Sequence, residues 1–180
     1  MKTKDKILEV AFQVFINYGY HHTSMQQLVE ASSLSKGAFY HHFNSKSELY
    51  QEVIERYFLS FYRSVDWERF EKANLTLSEI ENEIRGFYWS FVPQITALTT
   101  EGMSRYYIMY FEAYSLLADF KTTVRDFYNR LKQLIIQAPD NTKEAQKKAT
   151  QMIATYEGLL FLLAIHPEQN IEILLEEISE

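Results

Sequence analysis

The chain contains no cysteine, so disulfides, thiolate metal sites and thiol redox sensing are excluded by its chemistry. Turn formers are scarce, with three prolines and five glycines in 180 residues, too few for a strand-and-turn fold. The chain reads as nearly all helix. Long apolar runs are missing too: the longest, Leu159 to Ile165, is seven residues, against about twenty for a membrane span. Asp5 and Glu9 interrupt the N-terminal stretch where a signal peptide needs an unbroken apolar run. These absences predict a cytoplasmic protein with no membrane partner, no cofactor and no metal.

What is present is globular in composition, 47% hydrophobic and 23% charged, and long enough for two units but not three. Net charge is −6, unevenly spread. Residues 1–50 hold five lysines against four acids, whereas residues 51–180 hold thirteen basic against twenty acidic side chains. Four of the five histidines, His21, His22, His41 and His42, also fall in the first fifty residues. The asymmetry suits a chain whose N-terminal end approaches a polyanion.

Ile7, Leu8, Ala11, Phe12 and Phe15 recur at helical spacing and predict a first helix from about Thr3 to Tyr18, closed by Gly19. A second starts at a Thr23 or Ser24 N-cap, with Gln27 as capping-box partner, turns Met25, Leu28, Val29 and Ala31 inward, and ends near Ser32. After a tight turn, Ser35 caps a very short third helix, and Ser45 with Glu48 opens a longer fourth whose stripe is Leu49, Val53, Ile54, Tyr57 and Phe61. Residues 64–76 are polar and unphased, a candidate junction. Beyond it the pattern predicts a helix from Leu77 stopping near Pro93, others over Met103–Leu117 and Asp119–Gln137, one capped by Thr142 and running through Ile165, and a last opened by Pro167. The expected plan is all-α, about nine helices. Three N-terminal helices form a helix-turn-helix domain, residues 1–46, followed by a helical ligand-binding and dimerisation domain, residues 47–180.

A short third helix after a tight turn is a rod of the size that enters a DNA major groove. The side chains suit that task. Lys36 and Lys46 stand at helix N-termini, where a cation and the helix dipole both face phosphate. Thr23 and Ser24 can offer hydroxyls and backbone N–H groups to the same strand. Gly37 leaves room for close backbone approach. Tyr40, His41 and His42 present polar tips, with Phe39 and Phe43 packed inward. Adjacent histidines diverge on a helix and no third ligand stands at metal spacing, so a DNA-facing or surface role is expected for them.

The stretch TSMQQLVEASSLSKGAFYHHFNSKSELY resembles the N-terminal signature of the tetracycline-repressor (TetR) family, and AFQVFINYGY resembles that family's opening helix. The resemblance covers about residues 5–57 and rests on Gly19, Thr23, Ser35-Lys36-Gly37, Phe39-Tyr40, Phe43 and Ser45-Lys46 in order. It implies that Ser24, Gln26, Lys36, Gly37, Ala38, Tyr40, His41 and Lys46 line DNA. Tyr40 and Lys46 are implied to hold phosphates, while Gln26, Lys36, Ala38 and His41 read bases. Ser33 stands where the family commonly has a turn glycine, and Val29 where it has a small residue.

Residues 87–128 are rich in aromatics. Tyr107, Tyr110 and Tyr114 at three- and four-residue spacing place three hydroxyls on one helix face, and with Trp89, Phe127 and Tyr156 they are expected to line a pocket for an apolar or amphipathic small-molecule effector; ordinary core is the alternative. The last two helices carry Met152, Leu159, Leu163, Ile171, Leu174, Leu175 and Ile178, an expected homodimer interface, since the resemblance implies a two-fold four-helix contact there. Gly158 in midhelix points to close helix approach. The expectation is a homodimeric regulator, a repressor released from a palindromic double-stranded DNA operator by its effector, and not an enzyme. The alternative is a helical protein-binding adaptor with a non-functional N-terminal domain.

Overall fold

Six apolar residues of the first helix, Ile7, Leu8, Ala11, Phe12, Phe15 and Ile16, are buried along one face, and this stripe is the seed about which the N-terminal unit assembles. The computed structural model describes residues 3–99, 101–140 and 144–178. Their helices are α1 (Thr3–Tyr18), α2 (Met25–Ser32), α3 (Lys36–Tyr40), α4 (Lys46–Ile54), α5 (Ser60–Arg63), α6 (Trp67–Ala73), α7 (Leu77–Thr96), α8 (Met103–Leu116), α9 (Ala118–Ile136), α10 (Ala145–Ile165) and α11 (Ile171–Glu177). A π-helical turn, Glu55–Leu59, joins α4 to α5 without a break. The all-α plan with an N-terminal helix-turn-helix is the one the sequence predicts. With α4, the π turn and α5 counted as one rod, the addition to the expected plan among the described residues is α6. Among the same residues no helix is long and apolar enough to cross a membrane.

The chain divides into two compact units. The first takes the chain through Ser64 together with Arg105–Thr123, so the helix-turn-helix shares a body with most of α8 and the start of α9. Its core is aromatic. Phe15 meets Tyr50 edge-on at 5.0 Å, Phe12 stacks on Tyr57 at 4.2 Å, and Phe58 lies parallel to Tyr106 at 5.3 Å. Phe120 closes the cluster, edge-on to Phe58, Tyr62 and Tyr110. The π turn re-aims this part of the rod. Inserting one residue into the helical register buries Phe58 and Leu59 and leaves Tyr57 and Phe61 half-buried, so the expected stripe through Tyr57 and Phe61 is displaced by one position.

The second unit comprises Val65–Ser104 and the chain from Val124 onward. Ile80, Ile135, Ala138 and Ala149 form a buried cluster with Leu77, Ile84, Leu131, Leu134, Met152 and Ile153 packed against it. Helix α6 occupies the segment expected as a junction. Asp66 caps it by accepting the Arg69 N–H at 3.0 Å, and Asn74 ends it in the left-handed conformation, φ 49°. Trp67 of α6 packs edge-on to Phe127 at 5.4 Å, with the Arg130 guanidinium 4.9 Å from the Trp67 ring centroid. Thr76 and Glu79 form a full capping box at the start of α7.

Several helix limits differ from the periodicity. Helix α7 continues through Pro93 to Thr96; only the Trp89 carbonyl loses its partner there, because proline lacks an N–H. Helix α11 starts at Ile171, not Pro167, because the Asn170 side chain accepts the Glu172 N–H at 2.7 Å and fixes the cap. The expected Thr142 cap lies outside the described residues. Ala31 is exposed and Ser32 buried in its stead, a one-residue shift at the end of α2.

Candidate nucleic-acid interface

The helix-turn-helix is built from serine caps. Ser24 accepts the Gln27 N–H at 3.2 Å while Gln27 accepts the Ser24 N–H at 2.7 Å, which starts α2. Ser35 accepts the Ala38 N–H at 3.2 Å and starts α3, and Ser45 accepts the Glu48 N–H at 3.1 Å and starts α4. Between α2 and α3 the chain reverses at Ser33, in the left-handed region at φ 55° and ψ 27°. A β-carbon there costs about 1 kcal/mol relative to glycine. Buried Ser32 supports the reversal, since its hydroxyl donates to the Val29 carbonyl at 2.7 Å and accepts the Leu34 N–H at 3.3 Å.

Behind α3, Phe39 and Phe43 are buried as expected. In front, Lys36, Gly37, Ala38 and His41 are exposed and Tyr40 is half-buried. Lys36 Nζ lies 5.9 Å from the Tyr40 ring centroid, so cation and phenol share one surface. Beyond its chain neighbours and its own helical backbone, a β-carbon at Gly37 would meet no described atom within 4 Å. Packing among the described residues leaves space there for a side chain. On α2, Ser24 and Gln26 are exposed, and Gln26 Nε2 donates to Glu30 Oε1 at 2.9 Å. Ser24, Gln26, Lys36, Gly37, Ala38, Tyr40 and His41 therefore all reach the surface of one compact unit.

Two expected contacts are placed otherwise. Thr23 is 2% exposed, and its hydroxyl donates to the Gly19 carbonyl at 2.7 Å, so this side chain closes the turn between α1 and α2 and is not available to DNA. Lys46 is half-buried and donates to the carbonyls of Tyr20 at 2.7 Å and Thr23 at 2.8 Å, with Nζ 4.2 Å from the Tyr20 ring centroid. Its charge holds the same turn, leaving one of its three protons for a phosphate.

That turn is bound from a second side. Gly19 sits at φ 81°, where only glycine is unstrained. The next N–H, that of Tyr20, donates to Glu112 Oε2 on α8 at 2.8 Å. The Tyr20 ring lies 4.7 Å from that of Tyr50, whose hydroxyl donates to the Met109 carbonyl at 3.2 Å. Burial, with the negative charge of Glu112 adding to it, holds the Tyr50 phenol far above its ordinary range. Sequence reasoning found neither Glu112 nor Tyr50 as partners of the motif.

The aromatic residues expected as a pocket fall in both units. Tyr107, Tyr110 and Tyr114 are half-buried in the first, Tyr110 lying 5.9 Å from Tyr106 and 5.3 Å from Phe120. Trp89, Phe127 and Tyr156 belong to the second. Trp89 is 46% exposed, and Phe127 packs on Trp67. Tyr156 is core: buried, stacked on Tyr88 at 5.4 Å, and donating to Glu81 at 3.3 Å. The Tyr88 and Tyr128 hydroxyls meet nearby on Glu157, at 2.6 and 2.5 Å, satisfying the partners that buried tyrosines need.

The expected dimer residues also divide. Leu159, Leu163, Ile171, Leu174 and Leu175 are buried within the single chain, and Met152 and Ile178 are half-buried. They close the monomer core, because α11 packs on α7 and α10. The exposed face of α10 and α11 is a different set: Ala154, Phe161, Leu162, Ile165 and Ile173.

The family model described as "Bacterial regulatory proteins, tetR family" matches residues 7–53. The HTH-type transcriptional regulator QacR of Staphylococcus aureus (strain Mu50 / ATCC 700699) is 44% identical over 54 residues, which are 30% of this chain and 29% of that protein. The match thus spans less than a third of the relative's length. Solved structures extend the likeness in fold to nearly the whole chain. A transcriptional regulator (TerR/AcrR family) from Aquifex aeolicus VF5 superposes with TM-score 0.68 at 24% identity, covering 98% of this chain and 95% of its own. AibR, solved in complex with isovaleryl coenzyme A and operator DNA, superposes with TM-score 0.67 at 17% identity, covering 98% and 96%. Residues 7–53 thus carry the helix-turn-helix that the tetR-family model describes, and nearly the whole chain shares the fold of these solved regulators.

Proposed function

We propose that this protein is a homodimeric, DNA-binding transcriptional repressor whose hold on a palindromic operator is released by an apolar or amphipathic small molecule. The observation that carries the reading is the α3 surface. Lys36, Gly37, Ala38, Tyr40 and His41 are presented outward on a short helix whose Phe39 is buried, beside Ser24 and Gln26 of α2. With Lys46 tied to the Tyr20 and Thr23 carbonyls, Lys36 at the start of α3 joins Tyr40 on phosphate in this reading, in place of the base contact the resemblance implies, and Gln26, Ala38 and His41 face base edges.

Dimerisation follows from the α10–α11 face. Phe161 and Ile165 are more than half exposed, as is Ile173 of α11. Beyond its chain neighbours and its own helical backbone, a β-carbon at Gly158 would meet no described atom within 4 Å, which leaves room there for the close approach of a second copy. A two-fold pair places two α3 helices on half-sites about one DNA turn apart. The interface residues of this reading are Ala154, Gly158, Phe161, Leu162, Ile165 and Ile173.

The effector acts on the aromatic helical region, with Tyr107, Tyr110 and Tyr114 of α8 as its candidate contacts. It releases DNA by favouring one position of the rod that begins at α4, and a ligand shifts that balance only by its difference in affinity for the two positions. AibR, solved with both an acyl-coenzyme A and operator DNA, supports the pairing of the two functions. The test is selection of bound fragments from genomic DNA followed by a salt titration on the selected site. A sequence-selective complex that weakens steeply with salt supports the reading, and no such complex overturns it.

A further inference from the structure

Every polar backbone group at the two ends of the α1–α2 turn has a partner. The Gly19 N–H donates to Phe15 at 2.7 Å, the Gly19 carbonyl takes the Thr23 hydroxyl, and the Tyr20 carbonyl takes the Thr23 N–H at 3.3 Å as well as Lys46 Nζ. One group is satisfied from outside the DNA-binding motif. The Tyr20 N–H is held by Glu112, 92 residues away. The Tyr20 residue is thus bracketed by an ammonium on its carbonyl and a carboxylate on its N–H.

The fit at this point is tight. A β-carbon built on Gly19 would stand 3.2 Å from Glu112 Oε1 and 3.4 Å from Oε2. Glycine at this position therefore serves the left-handed turn and also leaves the space the carboxylate occupies. Glu112 is half-buried, and a hydrogen bond from an N–H to a charged acceptor is stronger than the neutral kind.

We infer that Glu112 is a positioning residue for DNA recognition, holding the α1–α2 turn so that α2 and α3 present their outward side chains at the angle the operator requires. It touches neither base nor phosphate. Its side chain acts through Tyr20, and Lys46 grips the same residue from the start of α4. This inference rests on the DNA-binding reading above.

The test compares wild type, Glu112→Gln and Glu112→Ala on the operator fragment selected with the wild-type protein, each at a temperature where circular dichroism and urea titration show it fully folded. The glutamine oxygen can still accept the Tyr20 N–H, as a neutral acceptor, so Glu112→Gln loses clearly less affinity than Glu112→Ala. Glu112→Ala loses about tenfold or more, the scale of one charge-assisted bond. The slope of log affinity against log salt is unchanged in both, because no phosphate contact is lost. A purely structural role lowers the urea midpoint and leaves the affinity of the folded protein intact. Wild-type affinity in folded Glu112→Ala, or equal losses in Gln and Ala, overturns the inference while leaving DNA binding in place. Absence of a wild-type complex overturns the DNA-binding reading itself, and this inference with it.

Discussion

Lys46 and Tyr20 are joined twice: the lysine ammonium donates to the tyrosine carbonyl at 2.7 Å and sits 4.2 Å from the centroid of its ring. A side chain that reads from sequence as a phosphate contact is thus also a strut between α4 and the turn ahead of α2. Lys46→Ala is expected to destabilise the fold by about 1–3 kcal/mol, since it leaves charge-assisted bonds unmade. Lys36→Ala, exposed and without such bonds, changes stability by less than about 0.5 kcal/mol and lowers the salt slope of DNA binding by about one. Urea unfolding beside salt-titrated binding separates the two lysines; equal stability of both variants contradicts the strut.

Gly37 offers a case where stability and function move in opposite directions. Beyond its chain neighbours and its own helical backbone, no described atom lies near an added β-carbon, and alanine is preferred to glycine in a helix by roughly 0.5–1 kcal/mol. Gly37→Ala is therefore expected to raise the melting temperature while weakening operator binding. A variant that is more stable and binds DNA equally well removes Gly37 from the interface.

Ser33 pays for its left-handed backbone. Ser33→Gly is expected to stabilise the protein by up to about 1 kcal/mol, the relief of the β-carbon being partly offset by the freer unfolded chain. Thermal unfolding checks the sign. A lower midpoint contradicts the strain assigned to the turn.

The dimer face is tested by separating it from the core. Phe161→Glu with Ile165→Glu places charge on the exposed side of α10, so folding persists and sedimentation shows a monomer. Leu159→Ala, in the monomer core, costs about 2–5 kcal/mol of stability. A Phe161→Glu, Ile165→Glu double variant that remains dimeric contradicts the assigned face.

Much of the motif was legible in the chain because its caps are local. Ser24 with Gln27, Ser35, and Ser45 with Glu48 announce themselves within four residues, and Phe39 and Phe43 fall inward at the spacing they must. The role of Lys46 was not legible, since its partners lie 26 and 23 residues away, nor was Glu112, at 92. Helix α10 shows a different limit. From Leu159 to Leu163 every residue is apolar, so periodicity cannot tell the face that closes the core from the face left outside. The π turn is hidden for a related reason: Tyr57, Phe58, Leu59, Phe61 and Tyr62 offer an apolar face in either register. The wide scatter of aromatics predicted one pocket, whereas the tyrosines of the second unit are engaged by Glu81 and Glu157.

The most direct test of DNA recognition by α3 is the binding of wild type, Tyr40→Phe and His41→Ala to the selected operator and to single-base variants of it, over a range of salt. The account predicts a steeply salt-dependent wild-type complex. Tyr40→Phe weakens it on all sequences alike, because a phosphate contact carries no base information, and His41→Ala changes which base is preferred. Binding that is insensitive to salt, or a loss of the same size and pattern from both substitutions, contradicts it.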